Sequence, residues 1–100
     1  MKEITVQELK QLIDEKKDFQ LIDVREEYEF DEVNIKGDLI PMGEVMENVE
    51  KISKDKQVII HCRSGKRSAT VISALESHHA FTNLYNLKGG ILAYIEEIGL

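Results

Sequence analysis

The sequence predicts an α/β protein built on a parallel sheet with helices on both faces. Two observations carry this expectation. Short apolar runs alternate with segments whose apolar residues recur at helical spacing, and the most strand-like run, Gln57 to His61 (Gln-Val-Ile-Ile-His), has no polar face to turn to solvent. A short β-branched strand of that kind must be covered twice, as strands in parallel sheets are. Alternation of strand and helix then supplies the crossovers that parallel pairing needs.

The elements follow in order. Ile4 seeds a short first strand. Thr5 followed by Glu8 reads as a capping box, in which hydroxyl and carboxylate each satisfy an orphan backbone donor, and Val6, Leu9, Leu12 and Ile13 share one helical face. Phe19 to Val24 looks like a buried strand ending in Asp23. Glu26 to Phe30 can make a short helix. Asp38, Leu39 and Ile40 form a brief strand stopped by Pro41, and Val45, Val49 and Ile52 mark a further helix. After the strand Gln57 to His61 comes a polar loop, 62–67. Ser68 to Ser77 reads as a helix with Val71, Ile72 and Leu75 inward. Asn83 to Leu87 is a last strand, Gly89-Gly90 a turn, and Ile91 to Ile98 a closing helix.

Composition bounds the function. A chain of 100 residues with 42% hydrophobic content suits one domain, residues 1–100, with one modest core. A formal net charge of -6 argues against a chain-wide nucleic-acid surface and against docking to an anionic membrane. One cysteine permits neither an internal disulfide nor a thiolate metal cage. No cofactor or metal is expected. The first residues carry charges where a signal peptide needs an apolar run, and no stretch approaches the roughly 20 apolar residues of a membrane span, so the cytoplasm is the expected location.

The chemistry concentrates in Cys62-Arg63-Ser64-Gly65-Lys66-Arg67, which leaves the end of a strand and enters a helix. Ligands of open α/β sheets bind at such carboxyl ends. Three influences there favour thiolate over thiol at Cys62. A helix N-terminus presents unpaired N–H groups and a partial positive charge of about +0.5. Consecutive loop amides can curl into an anion nest, which Gly65 permits by adopting φ values costly for other residues. Arg63, Lys66 and Arg67 add three cations. A cysteine so placed can fall from about 8.5 to between about 3.5 and 7.5. A lone cysteine is more often a buried small hydrophobe, but its neighbours here are cationic and glycine-containing.

Three stretches resemble the rhodanese family, in family order and across nearly the whole chain. They are Leu21-Ile22-Asp23-Val24-Arg25-Glu26 with Tyr28-Glu29, then Cys62-Arg63-Ser64-Gly65-Lys66-Arg67-Ser68, and Asn86-Leu87-Lys88-Gly89-Gly90-Ile91. The resemblance implies a five-stranded parallel sheet between helices. It implies a sulfurtransferase in which Cys62 takes sulfane sulfur from a donor such as thiosulfate, as a persulfide, and passes it to cyanide, a thiol or a protein. Arg63, Ser64, Gly65, Lys66 and Arg67 then match the loop that cradles persulfide and donor anion. The basic loop suits a dianion such as thiosulfate. With no second cysteine, the acceptor must be external. Two places depart from the family pattern. Val33-Asn34-Ile35-Lys36-Gly37-Asp38 stands where Gly-His-Ile-x-Gly-Ala is usual, which bears on acceptor choice, and Tyr94 stands where tryptophan is common.

Two other functions compete. Cysteine phosphatases and arsenate reductases also place a cysteine before an anion loop, but with five residues between cysteine and arginine. Only four lie between Cys62 and Arg67, and Ser68 occupies the position arginine should hold. A non-turnover sulfur-relay module is the second rival. Among the remaining residues, Asp23 and Arg25 read as an ion pair supporting the loop beside the site. His61 points away from Cys62 on an alternating strand and is not needed as a base. His78 and His79 suit a helix C-terminus. The acidic group Glu26, Glu27, Glu29, Asp31 and Glu32 reads as solvated surface, or as a docking face for a basic partner.

Overall fold

A computed structural model describes residues 1–100. Five strands form one sheet: β1 (Glu3–Ile4), β2 (Phe19–Asp23), β3 (Asp38–Leu39), β4 (Gln57–His61) and β5 (Leu84–Leu87). Their order is β1-β5-β4-β2-β3 and every pairing is parallel. β4 is central because its run Val58-Ile59-Ile60 has nothing to offer solvent; all three side chains are fully buried, each stabilising the fold by roughly 1.5–3 kcal/mol.

Four helices cover the sheet: α1 (Val6–Asp14), α2 (Glu27–Glu32), α3 (Lys66–His79) and α4 (Gly90–Glu97). Two cores lie on opposite faces. Val58, Ile60 and Cys62 pack with Val71, Ile72 and Leu75 of α3. Ile59 packs on the other side with Val6 and Leu9 of α1 and with Ile91 and Tyr94 of α4. Strand alternation therefore separates Cys62 from His61.

The expected elements recur with local differences. The Thr5–Glu8 capping box forms as anticipated. The segment marked by Val45, Val49 and Ile52 is not one helix. It is two short 3-10 turns, Met42–Glu47 and Val49–Lys51. Asn48 breaks it, with φ -128° and ψ 27° and its side-chain amide donating back to the Glu44 carbonyl at 2.7 Å. That is the competition short polar side chains set up against helical bonding. α3 starts two residues before Ser68, because Gly65 at φ 106° turns the loop so that Lys66 already begins the helix. His78 and His79 do lie in its last turn. No helix is long and apolar enough to cross a membrane.

Candidate active site

Cys62 follows directly on β4 and is 1% exposed. Its Sγ receives the Gly65 N–H at 3.1 Å and the Ser68 N–H at 3.5 Å, and lies 3.4 Å from Ser68 Oγ. The sulfur sits against the apolar core on one side and against the Gly65 and Ser68 amides on the other. Burial pushes the thiol up. Contacts with Ser68, then with the amides of Gly65 and Ser64, outweigh that and hold it below its ordinary value.

The loop is held from behind by its carbonyls, and the Arg63 carbonyl, drawn away from the sulfur, leaves the Ser64 N–H of the same peptide unit facing it. The Ile91 N–H donates to the Cys62 carbonyl at 2.9 Å and the Leu92 N–H to the Arg63 carbonyl at 3.1 Å. The Gly65 carbonyl accepts from the Ala69 N–H at 3.2 Å and from Asn86 Nδ2 at 3.1 Å. The first turn of α4 thus uses its orphan donors to curl the Cys62 loop. Gly90 makes the approach possible: at φ 62°, an added Cβ would fall 2.3 Å from the Arg63 carbonyl oxygen.

The three loop cations part company. Arg63 and Lys66 are exposed. Arg67 donates through both terminal nitrogens to Glu29 of α2, which pulls the Glu29 carboxyl down to about 2 and pushes the Arg67 guanidinium up. The expectation of a solvated acidic patch holds for Glu26, Glu27, Asp31 and Glu32, which are exposed, and fails for Glu29. Arg67, expected to face the donor anion, already holds a carboxylate.

Asp23 and Arg25 form the anticipated pair. Arg25 Nε lies 3.0 and 3.1 Å from the two Asp23 oxygens, and Nη2 lies 2.8 Å from Oδ2. Arg25 Nη2 also donates to the Val33 carbonyl at 2.7 Å, tying the far end of the α2 segment to the carboxyl end of β2. His61 lies beside them, fully buried, with Nε2 3.7 Å from Asp23 Oδ2 and without a hydrogen-bond partner. Burial lowers its basicity, so the ring is neutral. Its Nδ1 is 3.5 Å from the Cys62 carbonyl, not the sulfur, so it is not placed as a base for Sγ. No three His, Cys, Asp or Glu side chains are grouped as a metal site requires. A surface cavity of about 630 Å³ is lined by residues such as Phe19, Lys36, Gly37 and Lys56 and contains no residue of the 62–67 loop.

Two residues of the site have no role in the sequence reading. Ser68 and Asn86 are buried polar side chains joined by a 2.6 Å hydrogen bond, and both contact the loop. The signal available was a polar residue, Asn86, within an otherwise apolar strand.

Residues 5–97 match the family model of the rhodanese-like domain. The chain belongs to the rhodanese-like family. Among its relatives is YtwF of Bacillus subtilis, which carries a sulfurtransferase name. It is 38% identical over 98 residues, covering 97% of this chain and 93% of that protein. The adenylyltransferase/sulfurtransferase MoeZ of Mycobacterium tuberculosis is 34% identical over 98 residues, covering 95% of this chain. Against MoeZ this chain spans only 25% of the relative's length. The crystal structure of a rhodanese-like domain protein from Staphylococcus aureus superposes with a TM-score of 0.84 at 35% identity, covering 94% of this chain and 91% of that one. The rhodanese-like fold and family expected from Asp23-Val24-Arg25, the Cys62 loop and Gly89-Gly90-Ile91 are thereby established, and the relatives identify the family as one of sulfur transfer.

Proposed function

We propose that this protein is a rhodanese-type sulfurtransferase that carries sulfur on Cys62 as a persulfide. The observation that carries the reading is the convergence of the Gly65 and Ser68 N–H groups on Cys62 Sγ at the start of α3. Such donors stabilise a thiolate first and the terminal sulfur anion of a persulfide afterwards.

In the first step the Cys62 thiolate attacks the sulfane sulfur of an anionic donor such as thiosulfate. A Cys62–sulfur bond forms, the sulfur–sulfur bond of the donor breaks, and sulfite leaves with the electron pair. The exposed Arg63 and Lys66, with the amides of Ser64 and Gly65, receive the donor anion. In the second step an external nucleophile, whether cyanide, a thiolate or a protein thiol, attacks the terminal sulfur. Cys62 departs as thiolate and the loop is restored. The acceptor is external because the chain has one cysteine. Asp23 and Arg25 support the rim and take no part in the bond changes. A reducing cytoplasm is the proposed setting, since it keeps Cys62 available as a thiol.

Turnover of thiosulfate and cyanide to thiocyanate tests the reading, and Cys62→Ser should abolish it. Hydrolysis of para-nitrophenyl phosphate without thiocyanate formation would favour the phosphatase alternative. Loading of Cys62 without turnover on either acceptor would favour a relay module.

A further inference from the structure

Asn86 of β5 stands in register with Ile60 of β4, two residues from Cys62. Its Nδ2 donates to the Gly65 carbonyl at 3.1 Å, and a carbonyl can only accept. The amide is therefore turned with Oδ1 toward Ser68, whose hydroxyl donates to it at 2.6 Å. A hydroxyl has one proton. With that proton directed at Asn86, Ser68 Oγ shows only lone pairs to Cys62 Sγ, 3.4 Å away. It can accept from the thiol, but it can donate to the thiolate, and so take its share in lowering the thiol, only by letting go of Asn86. Ser68 is fully buried and Asn86 is 5% exposed, so bulk water does not offer the hydroxyl another partner.

We propose that Asn86 is a positioning residue which, by holding the Ser68 proton, restrains ionisation of Cys62. The amides of Gly65 and Ser68 stabilise the thiolate in any case. The Ser68 hydroxyl joins them only when its proton swings from Asn86 Oδ1 to Sγ. Asn86 thus sets how much of the resting protein carries a thiolate exposed to oxidation and how much carries a protected thiol. None of the charged groups around Cys62 hydrogen-bonds the Asn86 side chain or the Ser68 hydroxyl. These are Arg63 and Lys66 of the loop, Arg67 of α3 with its Glu29 partner on α2, His61 of β4, and the Asp23–Arg25 pair at the end of β2.

The inference rests on the sulfur-transfer reading only for why ionisation matters. The rate of Cys62 alkylation by iodoacetamide, measured against pH on the intact chain, reports ionisation whether or not thiosulfate is a donor, so the two readings fail separately. Asn86→Leu keeps the side-chain size and removes the acceptor, while the Gly65 carbonyl keeps its 3.2 Å bond from the Ala69 N–H. The freed hydroxyl then donates to the thiolate, and the midpoint of the profile falls by about one pH unit, the effect of one hydrogen bond to a charged acceptor. In a Ser68→Ala background the same substitution produces no further shift. An unmoved or raised midpoint in Asn86→Leu, or a shift that survives without Ser68, overturns the proposal. Should Asn86→Leu not fold, Ser68→Ala alone decides: a midpoint at or below wild type supports the proposal, and a higher one shows that the hydroxyl already donates to the thiolate and overturns it.

Discussion

Arg67 and Glu29 meet end to end, Nη1 to Oε1 at 2.7 Å and Nη2 to Oε2 at 2.9 Å, across 38 residues of sequence. The bidentate geometry is the strongest form such a pair takes. It commits the last cation of the Cys62 loop to α2. On the proposed reaction, recognition of a donor anion then falls to the loop amides, Arg63 and Lys66.

Releasing Arg67 should strengthen that recognition. In Glu29→Gln the guanidinium keeps a weaker, uncharged partner and becomes available to the donor. KM for thiosulfate should fall by about two- to fivefold, the range of a partly exposed ion pair, with little change in kcat. An unchanged or higher KM would show that Arg67 serves the site better while anchored.

The same carboxylate makes stability depend on acid. The Glu29 carboxyl is held at about 2, below its ordinary 4.5. As pH falls, the unfolded chain takes up this proton before the folded one does. The stabilisation is thus fully present above about pH 4.5 and is lost as pH drops toward about 2. Urea midpoints measured across that window should decline more steeply in wild type than in Glu29→Gln. Parallel declines would remove Glu29 from the explanation.

His61 gives a slope at higher pH. Burial holds the ring neutral, so it is the unfolded chain that gains the proton when pH falls below about 6.5. Folded stability should therefore decrease as pH is lowered from about 6.5, and His61→Gln should flatten that part of the curve. Identical slopes in the two proteins would mean that His61 accepts its proton within the fold, beside Asp23.

The loop's curl depends on a glycine in another element. In Gly90→Ala the new methyl would meet the Arg63 carbonyl oxygen at 2.3 Å and the Cys62 carbonyl oxygen at 2.7 Å. Both carbonyls must move, and the Ser64 amide, in the same peptide unit as the Arg63 carbonyl, turns away from Sγ. The variant should lose about 1–3 kcal/mol or more of stability, and its alkylation midpoint should rise. A destabilised protein with a wild-type midpoint would show that the curl is held without α4.

Much of this arrangement could be read from local sequence. Val58-Ile59-Ile60 announces a central strand because no solvent-facing position exists, and the position of Cys62 after it follows from chain continuity. Thr5 and Glu8 mark their helix start because both partners of the cap lie within one turn. What could not be read depends on partners distant in the chain. Glu29 sits among four exposed acids, and the one local mark it bears, capping the Glu26 amide, says nothing of Arg67; only the fold brings α2 to the start of α3 and gives it that partner. Asn86 is a turn-former by composition, and its place on a buried strand has meaning only once Gly65 and Ser68 are beside it. The Val45, Val49 and Ile52 spacing suggested a helix, but Asn48, bonded back to the Glu44 carbonyl, outcompeted helical pairing locally.

The most direct test of the central claim is the intact mass of the protein after incubation with thiosulfate. Wild type should gain roughly 32 Da, one sulfur, and Cys62→Ala should gain nothing. A wild-type mass that does not change, or an equal gain in Cys62→Ala, would contradict a persulfide held in the ring of amides at Cys62.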